Sequence, residues 1–300
     1  MPVPDDESRS PALKTEPEPA PPRSPRLARS RHPGLAIALR ALLTVVAMLA
    51  ASLGSALAAH ALGARLNLTG QPLRLTVYTV VCLVGCLLAW LLRRFFEQDR
   101  HGYLAAGWQR GRAVAALGAG TLAAVVVLGT AYLVATATGT VGWSPSELTP
   151  SELLAGLPLI LGVSFGLQGI PEEMLWRGYF QTTAAERVGP VTAAVVGAAV
   201  FGSMHLVSIG SGDTVGSKLV YIAAACGLGL ACAGLRLVTG SVWAAAGFHG
   251  GMHVVVRVAG VWATREQEVQ LNALTGACEL VTGLICLALW RRRQSRAQVR

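Results

Sequence analysis

The sequence predicts an all-α, polytopic transmembrane bundle of about eight helices, and three observations predict it. Hydrophobic residues make up 53% of the 300-residue chain and charged residues only 14%, against roughly a quarter charged in an ordinary soluble domain. Apolar runs of about 18 residues or more recur along the chain, each long enough to cross a hydrocarbon core of about 30 Å at about 1.5 Å per residue. The arginines gather beside the ends of these runs rather than on a soluble face, where they read as topology signals.

Taken in order, residues 1–33 are rich in Pro, Ser and both charges and poor in apolar residues. They cannot bury enough surface to offset ordering entropy and are expected to form a disordered cytoplasmic tail. The tail is too long and too acidic for the n-region of a cleaved signal peptide, so the first run is expected to stay as a membrane helix. Apolar runs then fall near 35–60, 73–92, 113–136, 153–170, 189–208, 218–238, 241–261 and 270–290. Residues 34–292 read as one transmembrane domain and 293–300 as a basic cytoplasmic C-terminus. One side collects Arg93, Arg94, Arg187, Arg236 and the arginines of both termini, the other only Arg65, Arg74, Lys218 and Arg265. With eight spans this bias places both termini in the cytoplasm of a plasma-membrane protein.

The formal charge of +9 invites a nucleic-acid reading, but the placement of the arginines makes the lipid bilayer the partner and excludes nucleic acid. The six cysteines all lie inside apolar runs, as small buried hydrophobes do, with neither a disulfide framework nor a zinc CxxC pattern. No repeat of solenoid length is visible.

Strongly polar residues in or beside the apolar runs are few: Glu172, Glu173, Arg177, His205, His249, His253, Arg257 and Glu279. An ionisable group at membrane depth costs several kcal/mol and is kept mostly where it faces a cavity or a partner. Pro171 either kinks a long helix or opens a new one, with Glu172 and Glu173 in its first turn. On either geometry Glu173 and Arg177 are spaced i, i+4 and can pair, while Glu172 points about 100° away. Val188-Gly189-Pro190 is a turn signal midway between Glu172 and His205, so an antiparallel helix pair folded there sets the two at one height. Further on, Ser241 is an N-cap candidate, His249 and His253 share a helix face, and Gly247 and Gly251 form a GxxxG that admits a close neighbour.

Each element alone has a structural reading. Glu173 with Arg177 is a clamp, a single histidine is a hydrogen-bonded core residue, and Arg257 with Glu279 is an interhelical pair. Their conjunction points instead to a carboxylate and three histidines converging inside a bundle, from the fourth, fifth and seventh spans.

The pattern Glu172-Glu173-xxx-Arg177-Gly178, then Phe201-xxx-His205, then Ser241-Val242-Trp243 leading to His249-xxx-His253 resembles the CAAX-prenyl-protease and bacteriocin-processing (CPBP, or Abi) family of intramembrane endopeptidases. The resemblance covers about 153–260 and implies roles: Glu172 as general base on a water, His205 orienting that water, His249 and His253 stabilising the oxyanion, Glu173 and Arg177 in support. It implies hydrolysis of a peptide bond in a membrane-associated peptide or protein. The Ala-, Arg- and Gly-rich composition points to a bacterium, where a prenylated substrate is unexpected. His253 departs from the Asn or Asp usual at its position. No cofactor is the leading expectation, and zinc held by Glu172, His205, His249 and His253 is the alternative. A proton-coupled transporter and a catalytically inactive immunity or scaffold protein are the competing functions.

Overall fold

The computed structural model describes residues 32–97, 112–207, 214–264 and 267–298. Helices occupy all eight apolar runs: α1 (Pro33–Arg65), α2 (Gly70–Phe96), α3 (Arg112–Ala137), α4 (Pro150–Val188), α5 (Pro190–Ser203), α6 (Val215–Thr239), α7 (Val242–Ala259) and α8 (Glu268–Gln298). Among the described residues the one sheet is a two-residue antiparallel pair, β1 (Gly142–Trp143) and β2 (Ala263–Thr264), which ties the α3–α4 connection to the α7–α8 connection. The expected tail lies outside the described residues except at its end, where Pro33 already sits in the first turn of α1. At the other end α8 carries the basic C-terminal stretch on as helix through Gln298.

Six of these helices are long and apolar enough to cross a membrane, and α5 and α7 are not among them. Of the eight expected spans, six are thus candidates by length and apolarity, and α5 and α7 are shorter or more polar. Helix α5 has 14 residues before a 3-10 turn at Met204–Val207. Helix α7 has 18 residues, but they include His249, His253, Arg257 and three glycines. A helix walled in by protein need not be apolar for lipid, and α7 is buried at Val242 and continuously from Ala244 to Gly251.

Helix α4 starts at a capping box, Thr149 Oγ1 accepting from the Glu152 N–H while Glu152 Oε2 accepts from the Thr149 N–H. It ends at Gly189, whose φ of +79° is open to glycine and closed to most other residues. Between these ends it is continuous. Its turns widen to π geometry at Gly162–Gly169 and again at Met174–Gln181, on either side of Ile170–Glu173. Pro171 therefore lies inside one long helix. The alternative of a new helix starting there, with its dipole favouring the carboxylates, is not the one adopted. Wide turns of this kind recur at functional sites.

Glycines set how closely α7 is held. A Cβ added at Gly247 would fall on the Leu117 carbonyl of α3, and one at Gly251 would meet Thr121 and Ala124 of the same helix. The Thr121 hydroxyl donates to the Gly247 carbonyl across this contact at 3.2 Å. On the opposite face Gly250 and Gly169 allow α7 and α4 to touch backbone to backbone. The GxxxG is thus half of a two-sided seating. Gly247→Leu is expected to destabilise the fold by about 1–3 kcal/mol or more, because the obstructing atoms are backbone. A lower thermal midpoint and a loss of monodisperse protein in detergent would register it.

At the end of the bundle where α1 begins and α2 ends, Arg40 donates two hydrogen bonds to Glu97, at 2.9 and 2.8 Å, both side chains buried. Arg93, read from sequence as a topology signal, is buried and donates to the Gly178 carbonyl of α4 at 2.8 Å. These contacts fasten α1 and α2 to the segment of α4 just beyond the carboxylates.

Candidate active site

Glu172 and Glu173 are consecutive on α4, and the helix turns them to different tasks. Glu173 is fully buried; its Oε1 accepts from Arg177 Nη1 at 2.7 Å and from His249 Nδ1 at 2.9 Å. Arg177 also donates through Nη2 to the Gly229 carbonyl of α6 and lies over the Phe201 ring of α5, 5.3 Å from its centroid. A single carboxylate–guanidinium pair so joins α4 to α5, α6 and α7. The expected i, i+4 pair is present, and the His249 bond to it, reaching across 76 positions of sequence, has no local signal that would announce it.

Glu172 has none of these partners. It is half-buried, accepts no hydrogen bond among the described residues, and lines a cavity of about 500 Å³. His205, His249 and His253 line the same cavity, so all four residues expected to converge do so. His205 stands at the end of α5 in the 3-10 turn, with Nδ1 3.0 Å from the Phe201 carbonyl. His249 and His253, one turn apart on α7, have ring centroids 5.1 Å apart, and Phe201 packs against His205 at 5.0 Å and His249 at 5.9 Å. Phe201, the first residue of the second motif, thereby orients two of the three imidazoles.

The partners fix the tautomers. A carbonyl oxygen and an ionised carboxylate only accept, so His205 and His249 must each carry a proton on Nδ1. When neutral, both then present an unprotonated Nε2. His249 can donate to an oxyanion only after taking a second proton, and Glu173 on its other nitrogen is the counter-charge for that imidazolium.

The cavity also shows residues that the sequence reading did not name. Tyr221 of α6 lines it with its ring 5.7 Å from His205. Gln168 of α4 accepts from Arg257 Nη2 at 3.2 Å, while Arg257 Nη1 donates to the His253 carbonyl at 3.2 Å. Arg257 and Glu279, expected to pair, both line the cavity, with these bonds directing the guanidinium to α4 and α7. Helical spacing, one turn before Glu172, was the signal available for Gln168.

Among the described residues no three His, Cys, Asp or Glu side chains are grouped so as to hold a metal ion. The four residues expected as alternative zinc ligands therefore share a cavity without forming a ligand set in this arrangement. No disulfide joins any of the six cysteines; Cys232 and Cys286 are buried and the others half-buried.

An all-α bundle with six candidate spans and an ionisable cavity is the build of a multi-pass membrane protein. Residues 154–255, about a third of the chain, match the family model described as type II CAAX prenyl endopeptidase, Rce1-like. The matched segment is similar to these CAAX-type membrane endopeptidases, and it holds all of Glu172, Glu173, Arg177, His205, His249 and His253. No curated protein and no solved structure matches the chain.

Proposed function

We propose that this chain is an intramembrane endopeptidase that hydrolyses a peptide bond of a membrane-associated peptide or protein with a water activated by Glu172 and His205. The observation that carries this is the unpartnered Glu172 carboxylate sharing one cavity with His205, His249 and His253. Glu172 takes a proton from water while His205 accepts the other hydrogen of that water at Nε2. The hydroxide oxygen adds to the peptide carbonyl carbon, and the oxyanion so formed faces His249, protonated at Nε2, and His253. Glu172 returns its proton to the leaving nitrogen as the carbon–nitrogen bond breaks, giving an acid and an amine. The residues present supply base, acid and anion stabilisation, and no nucleophilic serine or cysteine is required.

The arginine bias, with both termini in the cytoplasm of the plasma membrane, gives the cavity a direction. It reaches the end of the bundle where α7 finishes and α6 and α8 begin, being lined there by Tyr221, Arg257 and the exposed Glu268. That is the arginine-poor end, so substrate reaches the site from the extracytoplasmic side or from the outer leaflet.

Cleavage of quenched fluorescent hydrophobic peptides by the purified chain in lipid nanodiscs tests the reading. His205→Ala is expected to lower kcat/KM by about 10²-fold, a typical contribution for a group that positions a transferred proton. Equal turnover by the variant, or ion-coupled uptake into vesicles by a chain that cleaves nothing, would overturn it.

A further inference from the structure

Helix α8 lies outside the matched family segment, yet it forms a full wall of the cavity. Glu268, Asn272, Thr275 and Glu279 all line it, at spacings of four, three and four residues that put them on one helix face. Glu268 is exposed in the first turn, and Glu279 lies about 16 Å further along at about 1.5 Å per residue. The stripe therefore runs from the mouth to the interior.

Glu279 is the informative member. It is 4% exposed, sits inside a membrane helix, borders the cavity and accepts no hydrogen bond among the described residues. A buried carboxylate without a partner is costly, and it is kept where some group is to be met. Among the described residues the cavity lining holds three carboxylates, Glu172, Glu268 and Glu279, and one guanidinium, Arg257. Arg257 already donates to Gln168 and to the His253 carbonyl. Among the described residues α8 itself brings no cation to this wall.

We propose that the α8 wall, with Glu279 at its inner end and Thr275, Asn272 and Glu268 leading to it, is a cation subsite that selects peptides carrying lysine or arginine in the segment held by the cavity. The proposal rests on the peptidase reading of the same cavity. Glu268 at the mouth attracts the cationic side chain, Asn272 and Thr275 offer hydrogen-bonding groups along the way, and Glu279 receives the ammonium or guanidinium in a charge-assisted bond. Norleucine and citrulline match lysine and arginine in shape without the charge, and cannot satisfy Glu279 in this way.

The test uses the full chain in nanodiscs and five hydrophobic peptides differing only at one central residue: Lys, Arg, norleucine, citrulline or Glu. Binding is read by fluorescence anisotropy on the Glu172→Gln variant, and cleavage on the unsubstituted chain. Lys and Arg peptides are expected to bind about tenfold tighter than norleucine and citrulline peptides. Adding Glu279→Gln is expected to bring that ratio to near one. Asn272→Lys, at a half-exposed position that spares the buried carboxylate, is expected to weaken Lys-peptide binding and strengthen Glu-peptide binding. Equal binding of all five peptides, or a Lys preference that survives both substitutions, overturns the subsite. Cation-selective binding without any cleavage supports the subsite and refutes the peptidase reading. Cleavage without selectivity does the reverse.

Discussion

Glu172→Gln is expected to lower kcat/KM for peptide cleavage by about 10²–10⁴-fold, the range over which a positioned general base contributes. The substitution keeps the shape and length of the side chain and removes only its capacity to take a proton. Glu172 accepts no hydrogen bond among the described residues, so nothing else in the site loses a partner. Thermal stability is accordingly expected to stay the same or to rise slightly, since a half-buried, unpaired charge is removed. The two readouts together are diagnostic. An inactive variant that unfolds earlier would mean that Glu172 holds the fold, and a stable variant with full activity would remove it from the chemistry.

The neighbouring carboxylate shows what could be read from sequence and what could not. Short-range relations were legible: the i, i+4 spacing of Glu173 and Arg177, that of His249 and His253, the turn at Gly189, and the Ser241 cap, which does accept from the Trp243 N–H. Each depends on helix geometry alone. The contacts that give the site its electrical order depend on how helices meet. His249 to Glu173, Arg40 to Glu97 and Arg93 to Gly178 join positions 76, 57 and 85 residues apart, and a local pattern does not encode such pairings. Arg93 shows why, since an arginine at a helix end can face either water or a neighbouring helix, and this one meets the Gly178 carbonyl. Of the eight expected spans, six are long and apolar enough to be candidates for crossing a membrane. Apolar length identifies helices, but a helix such as α7 that is enclosed by others carries the polar residues of the site, which lower its hydropathy. The α8 stripe was visible as a spacing, and only the cavity gives it meaning.

Glu173→Ala is expected to be the most destabilising single change in the site, by about 3–5 kcal/mol, the cost of leaving a buried charge without its partner. Arg177 is 2% exposed and Glu173 0%, so water cannot take the place of the missing carboxylate. The same change removes the acceptor on His249 Nδ1, which fixes the imidazole tautomer and, in the proposed mechanism, balances the imidazolium that faces the oxyanion. Activity should therefore fall through two routes, and a second variant separates them. Glu173→Met combined with Arg177→Met replaces the pair by apolar side chains of similar length, an exchange that is often neutral or stabilising for buried ion pairs. The double variant is expected to recover most of the lost thermal stability while remaining at least about tenfold below the unsubstituted chain in kcat/KM, because His249 is still without its carboxylate. Recovery of both stability and activity would reduce Glu173 to a structural clamp. Recovery of neither would mean that the bonds from Arg177 to Gly229 and over Phe201 carry more of the packing than the ion pair itself.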